Sequence, residues 1–240
     1  MKTTISLLAL AAMAATSQAA IITLWDFNSQ PSDANTGTGT LSPKTGAGTA
    51  ALLGGATSTF ASGNSGTGST DPEVADDAAW NLSTWAAQGT GSGTRGARFN
   101  VSTVGQKDII VQWDNRHSNS VSKFVQFEYT TDGTNFIPAG GVAGDGVFQA
   151  TAGDSWFNDR TVDLSAIAGV NNNANFGFRV TTIFAPSTSA YVSSSGGAYG
   201  TTGTLRFDMV EVAGNPVPEP ASIAAIGLGL AAISRRRNKK

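Results

Sequence analysis

The stretch Asp71–Asp77 reads DPEVADD and sets four carboxylates, Asp71, Glu73, Asp76 and Asp77, within seven residues. Carboxylates this dense, with backbone carbonyls nearby, supply the all-oxygen donors that calcium takes in sets of roughly six to eight. The spacing lacks the EF-hand pattern, and an acidic solvated loop is the competing reading. His117 is the sole histidine and lies in the polar, turn-like run Asn115-Arg116-His117-Ser118-Asn119. One histidine suffices for a Ser-His-Asp triad, but no G-x-S-x-G elbow accompanies it. With no second histidine and no cysteine, a zinc site is disfavoured. Carboxylate pairs for glycoside hydrolysis can be drawn from Glu73, Glu128, Glu211 and the aspartates, and none is distinguished by its neighbours. The run Gly91–Gly96 (GSGTRG) matches G-x-G-x-x-G formally, but the strand-like ARFNVSTV follows it, so no helix N-terminus is offered to a phosphate. No catalytic residue is assigned, and the chain is not expected to be an enzyme. Trp80 and Trp85 follow the acidic run, and with Trp113 and Trp156 they serve either as core or as platforms for sugar rings. Burial favours a noncatalytic structural protein, and coplanar exposure favours a sugar binder.

The elements that must position these residues are strands. Gly, Ser, Thr and Asn are abundant, and apolar residues cluster in short runs separated by turn chemistry, as in an extracellular β-rich protein. Ile21–Asn28 (IITLWDFN) opens the series, and Ser29–Thr70 is expected to be long loops with one or two short strands. Ala97–Val104, Asp108–Asp114, Ser122–Thr130, Asn135–Pro138, Gly146–Ala150, Trp156–Leu164, Asn175–Phe184 and Thr204–Val212 follow, with a helical turn expected at Asp163–Ile167. In Ser122–Thr130, Val125, Phe127 and Tyr129 alternate with Gln126 and Glu128, so one face is buried and the other wet. In Thr204–Val212, Leu205, Phe207 and Met209 oppose Arg206 and Asp208. Eight to ten strands without a convincing helix between them predict an all-β, antiparallel, jelly-roll-like β-sandwich, with Ile21–Asn28 beside Thr204–Val212. Residues 20 to 217 hold nine basic and sixteen acidic side chains, a net −7 that disfavours a nucleic-acid partner. No disulfide can form, so the core alone must hold the body together.

Both ends carry addresses. Met1-Lys2, the apolar run Ile5–Ala15 and Ser17-Gln18-Ala19 have the layout of a signal peptide, with signal peptidase expected to cut between Ala19 and Ala20. At the other end Pro218-Glu219-Pro220 precedes thirteen uncharged residues, Ala221 to Ile233, then Arg235, Arg236, Arg237, Lys239 and Lys240. As a helix the run spans about 20 Å, short of the roughly 30 Å hydrocarbon core. It is expected to insert with the prolines in one interface and the arginines snorkelling at the other, the basic end staying cytoplasmic. A plain weak anchor is the alternative.

This tail resembles the PEP-CTERM sorting signal of exported bacterial proteins. The resemblance implies recognition and cutting near the triplet by an exosortase, with Pro218, Glu219 and Pro220 as substrate residues. It also implies a cell-envelope or surface location, membrane attachment through the helix before processing, and association with exopolysaccharide or biofilm. The run from Asp114 to Phe136, with its Tyr-Thr-Thr-Asp-Gly-Thr-Asn-Phe hairpin, resembles a segment of β-sandwich domains of exported bacterial proteins and, more loosely, of discoidin-like and carbohydrate-binding jelly rolls. In such jelly rolls the terminal strands carry a structural calcium, which implies Asp26, Asn28 and Asp208 as its candidate ligands here; capping or turn hydrogen bonds are their other use. The expected layout is a signal peptide (1–19), a sandwich domain (20–213), a linker (214–217) and the sorting tail (218–240), with a transmembrane helix over 221–233. The expected function is that of a noncatalytic surface or matrix protein, with a carbohydrate-binding module or glycan-active enzyme as the alternative.

Overall fold

The structure, a computed structural model, describes residues 19–141 and 145–217; the signal segment before Ala19 and the tail from Pro218, including Arg235–Arg237, lie outside them. Among the described residues twelve strands form: β1 (Ala20–Trp25), β2 (Thr49–Leu53), β3 (Thr57–Ser62), β4 (Ala78–Ser83), β5 (Gly96–Asn100), β6 (Gln106–His117), β7 (Phe124–Thr130), β8 (Ile137–Pro138), β9 (Val147–Gln149), β10 (Ser155–Asp163), β11 (Gly177–Ile183) and β12 (Leu205–Pro216). They make two antiparallel sheets. One runs β10-β6-β12-β4-β3 with β1 also on β12, and the other runs β2-β5-β11-β7-β8 with β9 also on β7. The expected sandwich therefore forms, and the first strand lies beside the last, Trp25 opposite Val210 and Ala20 opposite Gly214. The loop-rich stretch after β1 supplies two strands, β2 and β3.

Aromatic side chains hold the sheets face to face. Phe99 on β5 stacks on Phe178 of β11 at 4.9 Å and meets Trp25, Trp80 and Phe207 of the other sheet at 5.2, 6.0 and 6.3 Å between ring centroids. Trp113 on β6 stacks on Phe127 of β7 at 5.5 Å. Such pairs bury large apolar area and add edge-to-face and stacking attraction.

Four expectations shift. β6 runs on through His117, so the first three residues of the polar run expected as a turn are strand, with Asn115 and His117 buried, and the turn begins after them. Asn215 and Pro216, expected in the linker, pair with Lys107 and Gln106 and close the last strand. The helical turn falls at Ala168–Val170, just beyond the expected place. Within β12 the inward phase changes as well: Leu205 and Phe207 are buried, but so are Val210 and Val212, because a bulge with Met209 at φ 45° breaks the alternation.

Phe99→Ala leaves four aromatic partners facing a void. It is expected to lower the free energy of unfolding by about 3–5 kcal/mol, read from urea denaturation.

Candidate metal centre

The bulge in β12 has a structural counterpart beside it. One side of β12 pairs with β6 along its length, and the other is shared, Leu205–Phe207 with β4 and Val210–Gly214 with β1. Asp208 and Met209 fall between the two neighbours, where the chain leaves β1 and where Asp77 leads into β4. Into this gap point the carboxylates of Asp71, Asp77 and Asp208, one oxygen of each lying within 4.8 Å of the others. Asp77 and Asp208 are fully buried and Asp71 nearly so.

The loops hold the cluster closely. Asn28, just past β1, donates from Nδ2 to Asp71 Oδ2 at 2.8 Å and accepts at Oδ1 from the Ala78 amide at 2.8 Å. Asp71 Oδ1 accepts from the Glu73 amide, and Asp208 Oδ1 from its neighbour Met209. Gly63 donates its amide to the Asp77 carbonyl at 2.8 Å. A Cβ on Gly63 would collide with Asp77 Oδ1 and sit 2.7 Å from Asp208 Oδ2, so a glycine is required for the backbone to close over the carboxylates.

What remains is unsatisfied. Among the described residues, Asp77 Oδ1, Asp77 Oδ2 and Asp208 Oδ2 are buried with no hydrogen-bond partner. Burial pushes Asp77 up to about 6 and Asp208 well above the usual carboxylate range, and neighbouring carboxylates add to both. Asp71 is raised by the same desolvation. Burying like charges together costs several kcal/mol unless a proton or a cation sits among them. The donors are all hard oxygen, without nitrogen or sulfur, and carboxylates can bind bidentate, which suits calcium better than a transition metal. Asp71, Asp77 and Asp208 are the residues that would hold the ion.

Of the residues named from sequence, Asp208 lies in the cluster. Asn28 stands beside it with both side-chain polar groups committed. Asp26 is ion-paired to Lys44 at 2.6 Å and also accepts from the Asn28 amide. The acidic run divides: Asp71 and Asp77 enter the gap, Glu73 caps its own loop at the surface, and Asp76 lines an adjoining cleft of about 240 Å³ with Asp26, Lys44 and Glu73. The joining of Asp71 and Asp77 with Asp208 is the part that sequence reasoning missed. Its available signal was the slip of apolar phase between Phe207 and Val210, which marks a bulge.

The other candidates are structural. His117 Nε2 accepts from Asn115 Nδ2 at 2.8 Å and Nδ1 donates to the Ser122 carbonyl at 3.0 Å. Burial pushes the ring down to about 3, so it stays neutral and both nitrogens are engaged. Trp80, Trp85, Trp113 and Trp156 are all buried, and Trp85 and Trp156 donate to the Gly203 and Ser65 carbonyls at 2.7 and 2.8 Å. None of the four is a surface platform.

Residues 216–238 match the PEP-CTERM protein-sorting motif, and such a tail implies exosortase-dependent export to the cell envelope or surface. The membrane helix expected over 221–233 falls outside the described residues, among which no helix is long and apolar enough to cross a membrane. No curated protein matches the chain. Among solved structures, the CBM22-1-CBM22-2 tandem domain of Paenibacillus barcinonensis Xyn10C is similar at a TM-score of 0.44 and 10% identity, over 85% of this chain and 49% of that one. This chain thus spans about half the length of the tandem. The CBM22-1 xylan-binding domain from the same protein gives 0.43 and 10%, over 85% of this chain and all 100% of that one. The K1 cleaved adhesin domain of Lys-gingipain from Porphyromonas gingivalis W83 gives 0.34 and 12%, over 71% and 99%.

The carboxylates make stability depend on pH when chelator removes divalent ions. Asp77 has a folded value of about 6 against 3.8 for the free group, so the folded state binds more protons between the two. Stability is therefore fullest below the lower value and falls as pH rises through the upper one. Saturating calcium is expected to abolish that fall and to raise the melting temperature at neutral pH by about 5–10 °C, taking ligand at a hundredfold its dissociation constant. Differential scanning calorimetry in EDTA and in calcium checks both. Gly63→Ala is expected to remove the calcium effect.

Proposed function

We propose that this chain is an exported, noncatalytic surface or matrix protein whose body is a calcium-braced β-sandwich, delivered by its sorting tail and left in contact with extracellular polysaccharide. Signal peptidase removes residues 1–19, and an exosortase cuts near Pro218–Pro220. The observation that carries this reading is the direct junction of body and tail. β12 ends at Pro216, the Val217 amide donates to the Gly105 carbonyl at 2.8 Å, and the Pro-Glu-Pro triplet begins at the next residue. Cutting at the triplet therefore spares every strand bond of the body. The start is equally economical, since Ala20, the first residue expected after signal removal, is also the first residue of β1. Both cuts fall at one end of the sheet, because Ala20 pairs with Gly214.

The noncatalytic role is supported by the lone histidine, which is neutral and engaged at both nitrogens, and by carboxylates gathered where a cation fits rather than across an open groove. The tryptophans belong to the interior, which speaks against a sugar-binding surface built from indole faces.

Intact mass of the protein recovered from membrane and medium fractions of its native host is expected to give a chain from Ala20 to near Pro218. A chain that keeps Lys240 and stays wholly in membranes would make the tail a permanent anchor and overturn the processing. Neutral residues in place of Arg235, Arg236 and Arg237 are expected to leave export intact while lowering the processed fraction several-fold, because the charge holding the terminus inside is gone. Unchanged processing would contradict the role given to these arginines.

A further inference from the structure

A second bulge, on β10, aims a positive charge into the body. Pairing of β10 with β6 shifts register between Phe157 and Arg160, and Asp159 there has φ 56°. Asp114 Oδ1 accepts from the Asp159 amide at 2.8 Å, and Gln112 Nε2 donates to Asp159 Oδ1 at 2.6 Å, so the bulge is fixed from the neighbouring strand. Arg160, one residue on, is only 9% exposed. Its guanidinium carbon lies 5.0 Å from the Phe157 ring centroid and 5.3 Å from that of Phe148, and Nη2 donates to the Gln149 carbonyl at 3.2 Å. Nε is buried without a partner, and no carboxylate among the described residues pairs with Arg160, in contrast to Arg116 with Asp154 and Arg179 with Glu128.

Aromatic faces and one carbonyl hold the guanidinium in place, but they do not neutralise it. A desolvated cation in a preset orientation calls for an oxyanion, and the planar fork of arginine fits a carboxylate. Space for one lies beside it, where the edges of the two sheets face each other at β9 and β10. The cleft has a volume of about 520 Å³ and is lined by Phe148, Gln149, Thr151, Arg160 and Thr161, with Gly141 at its rim. That is more room than a bare anion needs, and it offers a side-chain amide and two hydroxyls, groups that hydrogen-bond to sugar hydroxyls.

We propose that this cleft binds a carboxylate-bearing sugar, a uronic acid unit of an acidic polysaccharide, with Arg160 taking the carboxylate and Gln149, Thr151 and Thr161 the ring hydroxyls. The choice of a sugar over a bare carboxylate rests on the polysaccharide partner proposed above, whereas the need for an anion rests on the geometry of Arg160. The body's net charge of −7 opposes long-range attraction of a polyanion, so recognition comes from these short contacts.

Isothermal titration of the exported protein, purified from its host in calcium, tests the assignment with sodium D-glucuronate, D-glucose and sodium acetate as separate probes. Glucuronate is expected to bind, glucose not measurably, and acetate more weakly than glucuronate. Arg160→Met, which keeps the packing volume, is expected to weaken glucuronate binding roughly ten- to hundredfold, the worth of a charge-assisted hydrogen bond. No binding of glucuronate, or glucose binding as tightly, overturns the proposal. Acetate binding as tightly as glucuronate overturns the sugar and leaves a bare anion site. The preference of the unaltered protein decides whether or not the variant folds, and a failure here leaves the export and processing of the chain, read from its mass, untouched.

Discussion

β12 must serve two partners along one side, and the gap between them is closed by carboxylates. β4 covers its first part and β1 its second, and neither pairs with Asp208 or Met209. An apolar plug would fill such a gap at little cost. Here Asp71, Asp77 and Asp208 fill it, buried and short of donors, and the loops after β1 and before β4 are tied to them through Asn28 and Gly63. A cation in that position would link both neighbours of β12 to β12 itself. For an exported chain without cysteine, it would stand in for a disulfide across the first and last strands.

The same sheet carries the second irregularity on the adjacent strand. Asp114 of β6 sits opposite Asp208 of β12 and accepts from the Asp159 amide in the bulge of β10, while its other oxygen accepts from the Thr70 amide and hydroxyl at 2.6 and 2.7 Å. One carboxylate thus ties the bulge of β10 to the loop before β4, beside the bulge of β12. The distortions turn Asp208 inward on one strand and Arg160 inward on another. The aromatic layer headed by Phe99 and Trp113 stays regular beneath them, and bulges of this kind commonly re-aim side chains toward function.

Much of this architecture was legible in the sequence because period-two patterning has a direct physical cause. Val125, Phe127 and Tyr129 had to share a face, and terminal strands without partners of their own had to find each other. Where one residue is inserted, the pattern misleads: Met209 continues the inward series on paper, but the bulge hands the core to Val210 and Val212 and buries Asp208. His117 looked like part of a turn because Asn115 to Asn119 is polar, yet Asn115 and His117 are buried on β6 and hydrogen-bond each other there. The tail was legible as an address because Pro-Glu-Pro, an apolar run and a basic end form an ordered pattern that needs no fold. Arg160 was silent, since its meaning depends on two phenylalanines and on the absence of an acidic partner among the described residues, all of them matters of three-dimensional neighbourhood. The carboxylate cluster was half legible: the acidic run and Asp208 each drew attention as calcium donors, but their meeting was hidden by the sequence distance between them.

The account turns on whether a cation or a proton sits among Asp71, Asp77 and Asp208. Metal content of the protein purified from its host without chelator, measured by inductively coupled plasma mass spectrometry alongside Asp208→Asn, tests it most directly. The account predicts one tightly held calcium per chain that is lost in the variant. A metal-free protein that takes up none from excess calcium would contradict it and leave Asp77 and Asp208 sharing a proton.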